Sequence, residues 1–312
     1  MVDLSVQLGA LVLRNPLLSA SGTFGHGLEM EHFVSPEALG GWVSKTVTLE
    51  PRHGNPAPRI CETEAGFLNS IGLENRGVDS YLEKIVPALK GVDAVIFTNV
   101  GGASPDDFVA AVERLEEADE VDAYELNLSC PNVQGGKLPY GTDPKMAEDV
   151  TRRVRNVTKK PVFSKLSPNV SSISDMAKAV EAGGADGITA VNTLLGMSVD
   201  WRNGTPGLAT IQGGYSGVGM KPVALRCAWD CVRSVNIPVI GCGGISTLDD
   251  VLEFLVVGCS AVQIGTASFS NPSLLAEMAE ELPARLAEAG FDSVRELIGS
   301  MHGLERPGGS SK

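Results

Sequence analysis

Short apolar stretches of about 4–8 residues recur along the chain, separated by longer segments with helical periodicity. That alternation predicts βαβ units and a parallel sheet. Eight stretches qualify as core strands: Pro16–Ser21, Gly41–Thr46, Ala94–Asn99, Ala123–Leu128, Pro161–Leu166, Gly187–Asn192, Pro238–Cys242 and Ala261–Gly265. Eight parallel strands close a barrel, whereas an open doubly wound sheet usually has fewer and a glycine-rich turn after the first. The predicted fold is therefore α/β, a single-domain (β/α)8 TIM barrel. Helices are predicted over Asp106–Ala118, Ile173–Ala182, Pro222–Val235, Leu248–Val256, Pro272–Ala289 and Val294–Ser300. Ser104 can cap the first of these, and Asp106 and Asp107 complement its dipole.

Three connections are long: 47–75, which holds Pro51, Pro56 and Pro58, then 129–145 and 194–219. They read as loops with little regular pattern. Loops of this length in a compact domain are usually functional, and in this fold these three follow strand ends on the C-terminal face. The domain is expected to span 1–306, with the Gly/Ser-rich tail 307–312 disordered. No fixed-period repeat is visible.

Composition narrows the picture. The chain has 312 residues, 43% hydrophobic and 20% charged, values ordinary for a globular protein. A net charge of −13 argues against nucleic acid and against an anionic membrane surface as partners. A small anion remains admissible, because a few nearby cations outweigh a distant acidic surface. The six cysteines, Cys61, Cys130, Cys227, Cys231, Cys242 and Cys259, form no C-x₂-C pair and no iron–sulfur ligation pattern. They suit a reducing, cytoplasmic compartment. The amino terminus lacks the features of a signal peptide, and no apolar run reaches membrane-spanning length. His26, His32, His53 and His302 show no paired ligand spacing, so no metal site is expected. No G-x-G-x-x-G motif is present.

The candidate chemistry lies where the strands end. Ser21 follows the first, Lys45-Thr46 the second, and Asn99 and Asn127 the third and fourth. Lys165 ends the fifth and Asn192-Thr193 the sixth. Lysines and asparagines at apolar strand ends are costly unless something satisfies them. A cap or loop hydrogen bond explains any one of them. Five together, in a fold whose sites lie there, point to a ligand. The seventh and eighth strands end in Gly241-Cys-Gly-Gly-Ile245 and Gly265-Thr266, and Gly213-Gly-Tyr-Ser-Gly217 adds a third glycine-rich segment. Glycine permits close backbone approach to a phosphate, although tight turns also select it. Cys227 and Cys231 lie one helical turn apart and read as small hydrophobes, and Cys242 and Cys259 as core. Cys130 sits in a long loop just past a strand end. On the residues alone, an inert packed thiol is the simpler reading of it, and a reactive one the alternative.

The motifs resemble one family. Asn15-Pro-Leu-Leu-Ser-Ala-Ser-Gly22, Ser44-Lys-Thr-Val-Thr-Leu-Glu-Pro-Arg52, Asn69-Ser-Ile-Gly-Leu73, Glu125-Leu-Asn-Leu-Ser-Cys-Pro-Asn132, Lys165-Leu-Ser-Pro168, Asn192-Thr193, Gly241–Ile245 and Ile264-Gly-Thr266 are similar to those of the class 1 dihydroorotate dehydrogenases. The match runs from about residue 3 to residue 301 and looks most like class 1B, the NAD-dependent catalytic subunit. The resemblance implies FMN as cofactor and oxidation of dihydroorotate to orotate in pyrimidine biosynthesis. It assigns Cys130 as the general base at C5, with hydride transfer from C6 to flavin N5. It places Ser21, Lys45, Thr46, Asn99, Asn127, Lys165, Val191, Gly217, Gly243, Gly244, Gly265 and Thr266 on the cofactor. It places Lys45, Asn69, Ser70, Ile71, Gly72, Leu73, Asn127, Asn132, Asn192 and Thr193 on the substrate. It further implies a homodimeric core joined by an iron–sulfur flavoprotein into a heterotetramer. That partner would carry FAD and a 2Fe-2S cluster, with NAD as final acceptor. The alternatives are a class 1A enzyme that reduces fumarate, another FMN barrel acting on a pyrimidine, and an inactive ligand-binding barrel.

Overall fold

The computed structural model describes residues 2–129 and 140–302. Cys130, Asn132 and the tail 307–312 lie outside the described residues.

Eight parallel strands close into a barrel: Leu17–Ser19, Gly41–Val43, Val95–Gly101, Ala123–Asn127, Val162–Leu166, Gly187–Ala190, Val239–Cys242 and Ala261–Ile264. The eighth pairs with the first through Val262↔Leu17, and the second pairs with the third through Gly41↔Val95. Residues in these strands are buried on both faces except Val95 at one end, which is why they read as continuous apolar runs. Each predicted strand overlaps an observed one. Several ladders stop earlier than the apolar run does, so Ser21, Thr46 and Asn192 sit just past their strands. The second strand is interrupted and resumes at Val47–Thr48, which pairs with Val100 and Gly101.

Helices cover the outside. Ile173–Ala182 and Leu248–Val256 have the predicted bounds, and the other four predicted helices appear shifted or shortened at their ends. Ser104 and Asp107 form a capping box, as do Thr247 and Asp250, so each helix start is fixed by a local hydrogen-bond pair. Helical segments beyond the six predicted also appear, among them the short Ala267–Ser270. Gly77–Lys84 runs into Val86–Leu89, and Pro144–Arg155 is capped by Asp143. The apolar stripe of the latter is narrow, Ala147, Val150, Thr151 and Val154, and the charged residues between hide its period. One contiguous core fills the space between barrel and helices. Phe97 and Phe163 meet edge-to-face at 5.2 Å within it. Fully burying each such ring contributes roughly 1.5–3 kcal/mol.

Two of the long connections are not irregular. Residues from 47–75 and 194–219 together build a four-stranded antiparallel sheet, in the order Leu194–Met197, Gln212–Ser216, Gly66–Asn69, Ile60–Thr63. A separate two-stranded ladder, Val199–Asp200 with Thr205–Pro206, lies within the 194–219 connection. The strands are short and glycine-rich, which concealed them. Their glycines are there for contact: a Cβ on Gly66 would lie 1.9 Å from the Ser216 carbonyl oxygen, and one on Gly213 2.5 Å from that of Asn69. At the other end of the barrel, a hairpin of Val6–Leu8 and Leu11–Leu13 buries Val6, Leu8 and Leu13.

Candidate active site

The barrel's C-terminal ends and the antiparallel sheet enclose a cavity of about 1060 Å³. The twelve residues expected on a cofactor, Ser21, Lys45, Thr46, Asn99, Asn127, Lys165, Val191, Gly217, Gly243, Gly244, Gly265 and Thr266, all line it. So do Asn69, Ile71, Leu73, Asn192 and Thr193. Ser70 and Gly72 are not in its wall. The Ser70 hydroxyl accepts a hydrogen bond from Asn55 Nδ2 at 2.8 Å, and Gly72, at φ 78°, packs on Asn55. Both shape the turn that presents Ile71 and Leu73.

The floor of the cavity is a hydrogen-bonded network inside the barrel. Glu125, fully buried, sits at its centre. One carboxyl oxygen accepts from Asn99 Nδ2 at 2.7 Å and lies 3.5 Å from Lys165 Nζ. The other accepts from Thr189 Oγ1 at 2.7 Å and Gln263 Nε2 at 2.5 Å. Lys165 Nζ also donates to Gln263 Oε1 at 2.8 Å. The chain of contacts continues upward: Thr46 Oγ1 donates to Asn99 Oδ1 at 2.6 Å, and Asn192 Nδ2 to Asn127 Oδ1 at 3.3 Å. Burial alone would lower the pKa of Lys165. The Glu125 carboxyl beside it, through its charge and its hydrogen bond, reverses that, and the net displacement is upward. Lys165 is therefore an ammonium held in a nearly dry wall. Burial pushes the Cys242 thiol up, against the opposing pull of Lys165, so it stays a neutral thiol.

The strand-end reading gives no role to Glu125, Thr189 or Gln263, and takes Cys242 as core. The signal was present: a charged residue inside the apolar run Ala123–Asn127 is tolerated only when paired. The pairing crosses the barrel, from the fourth strand to the eighth, and no local spacing reveals it.

Three glycine segments form the far end of the cavity. Gly217 and Gly243 hold φ of 107° and 126°, conformations that favour glycine. A Cβ on Gly244 would lie 2.5 Å from the Lys221 backbone nitrogen, so this turn rests on the first residue of helix Lys221–Ser234. Asp250 fastens the region. Its carboxylate accepts from the Ser246 and Thr247 backbone N–H groups and from Lys221 Nζ at 2.6 Å. Burial would raise its pKa, but these donors together hold it below the ordinary carboxylate value. Glycine turns beside the start of a 14-residue helix offer backbone donors to an anion.

Comparison with known proteins agrees with this geometry. Residues 3–286 match the family described as dihydroorotate dehydrogenase. Over 296 residues the chain is 49% identical to the dihydroorotate dehydrogenase B (NAD(+)) catalytic subunit of Bacillus pumilus, covering 95% of this chain and 96% of that relative. Over 300 residues it is 47% identical to the protein of the same name from Trichlorobacter lovleyi, covering 96% and 99%. Among solved structures, the Eimeria tenella DHODH in complex with ferulenol aligns with a TM-score of 0.78 over 96% of this chain and 88% of that one. At 23% identity this likeness supports the fold alone.

Proposed function

Because the chain belongs to the dihydroorotate dehydrogenase family, we propose that it oxidises dihydroorotate to orotate with FMN, as the class 1B catalytic subunit. The observation that carries this reading is one cavity with two unlike ends: a buried ammonium and amide wall at one, glycine turns on a helix start at the other. The donor set fits the cofactor. A flavin mononucleotide needs hydrogen-bonding groups along its ring edge and backbone donors at its phosphate, and about 1060 Å³ leaves room for a small substrate beside it. When bound, FMN supplies the hydride acceptor.

The residues divide by position. Gly217, Gly243, Gly244, Gly265 and Thr266 hold the phosphate end. Ser21, Thr46, Asn99 and Val191 line the ring, and Asn127 spans ring and substrate. Lys165 would face the flavin ring, where a fixed ammonium would favour negative charge. Lys45 faces both ligands. Asn69, Asn127, Asn132, Asn192 and Thr193 supply the amide and hydroxyl groups that a cyclic imide bearing a carboxylate requires. The Ser70–Leu73 turn, with Ile71 and Gly72, closes over it. Cys130, three residues past Asn127 in the chain, takes the C5 proton on Sγ. Its free pKa near 8.5 suits a base working close to neutral pH.

Electrons must then leave, and the resemblance implies a partner subunit carrying FAD and a 2Fe-2S cluster, with NAD as acceptor. Among the described residues no helix is long and apolar enough to cross a membrane. Turnover assays decide the acceptor. The expected result is NAD reduction by dihydroorotate only with the partner present. Rapid fumarate reduction by the isolated chain contradicts the class 1B reading and places the enzyme in class 1A.

A further inference from the structure

We infer that Glu125 is a positioning residue for this reaction, which offsets the charge of Lys165 beneath the cofactor and so sets the reduction potential of the bound flavin. The inference rests on the FMN reading above.

The barrel's layering brings the groups together. Glu125, Thr189 and Gln263 come from the fourth, sixth and eighth strands, and Asn99, Lys165 and Cys242 from the third, fifth and seventh. Side chains of alternate strands share a layer in this fold. An apolar residue at position 125 would be the default for an interior layer. A carboxyl there is instead matched to donors on four strands. Thr189 and Gln263 occupy one oxygen, and Asn99 fixes the other on the side of Lys165. Gln263 also accepts from Lys165 Nζ at 2.8 Å, so the ammonium is held from two directions. Lys165 lines the cavity, and Glu125 does not. The carboxyl therefore acts on the cofactor through the lysine and through space.

The sign of its effect follows from electrostatics. A lone ammonium at the ring edge stabilises the electron-rich reduced flavin and raises its potential. A carboxyl 3.5 Å from that ammonium cancels much of its field. In so dry a site neither charge is well screened. Glu125→Gln keeps the shape and several hydrogen bonds but removes the negative charge, so, titrated at a pH low enough to keep Lys165 an ammonium without its carboxyl, it raises the potential. Lys165→Met lowers it. A residue that only packed the barrel would give no such opposed pair.

The test is spectroelectrochemical titration of the FMN-loaded chain. Glu125→Gln is expected to shift the oxidised-to-reduced equilibrium about tenfold toward reduced, a rise of about 30 mV for a two-electron couple. The rise should persist at high salt, since the charges are buried. Glu125→Asp keeps the charge but withdraws it, and is expected to give a smaller rise. It serves alone if the glutamine variant does not fold. An unchanged or lowered potential in the variant that folds overturns the proposal. A wild-type chain that does not hold FMN removes the flavin reading itself, before any variant is made, and the proposal with it.

Discussion

The floor and the roof of the cavity are built differently. The floor belongs to the parallel barrel. Its polar groups are buried and bonded chiefly to each other, with donors on both oxygens of Glu125. The roof belongs to the antiparallel sheet. Leu195 and Met197 in it are more than half exposed, and the Asn69 side chain is held by a long hydrogen bond, Nδ2 to the Gly214 carbonyl at 3.3 Å. Floor groups are pre-organised and expensive to disturb. Roof groups are loosely held and free to turn toward a ligand. The difference fits the proposed charge control by the barrel, with the proposed substrate contacts divided between the sheet, at Asn69, and the barrel's strand ends, at Asn127 and Asn192.

The largest expected effect tests whether the chemistry sits between the two walls. Cys130→Ala should slow flavin reduction by dihydroorotate about 10²–10⁴-fold in stopped-flow measurements, the usual contribution of a general base. Cys130→Ser should be less impaired at raised pH than near neutrality. An unaltered rate in the alanine variant removes Cys130 from the mechanism.

The next pair of variants probes the comparison itself. Lys165→Ala strands the Glu125 carboxyl in the barrel and should cost about 3–5 kcal/mol in denaturant unfolding of the apoprotein. Asn69→Ala should cost less than about 1 kcal/mol, because that long side-chain bond is worth little. Equal losses would contradict the division between floor and roof. In turnover, Asn69→Ala should raise the KM for dihydroorotate about tenfold, the loss of one ligand hydrogen bond. It should leave FMN content unchanged. A variant that loses FMN instead would move Asn69 from substrate to cofactor.

The smallest effect concerns Asp250, which fastens the glycine end. Its folded-state pKa lies below its unfolded value of about 3.9. The stability it contributes is thus fully present above that value and is lost as pH falls through the folded value. Asp250→Asn should be less stable than wild type near neutrality, with the gap closing below about pH 3.9. A gap that widens toward acid would contradict the assignment.

Much of this was legible in the chain. Parallel strands buried on both faces leave apolar runs, so all eight were located, and Lys45, Asn99, Asn127 and Lys165 marked the site by ending such runs. The glycine-rich end of the cavity was legible as glycines, though a glycine alone does not separate a tight turn from an anion cradle, and the approach of Gly244 to Lys221 is itself a packing reason for that glycine. The antiparallel sheet was not legible, because strands such as Ile60–Thr63 and Leu194–Met197 are short, and the two hairpins they belong to join only through Gly66–Asn69 and Gln212–Ser216, more than a hundred residues apart in the chain. Glu125 was visible as an odd residue in an apolar strand, but its partners on four strands exist only once the barrel closes. Cys130 drew its role from family resemblance, since nothing local distinguishes a base from a packed thiol.

Absorbance of the chain as purified, before and after anaerobic dihydroorotate, tests whether it carries a flavin that this substrate reduces. The expected result is a yellow protein whose flavin band bleaches on addition. A colourless protein, or a bound flavin that dihydroorotate leaves oxidised, contradicts it.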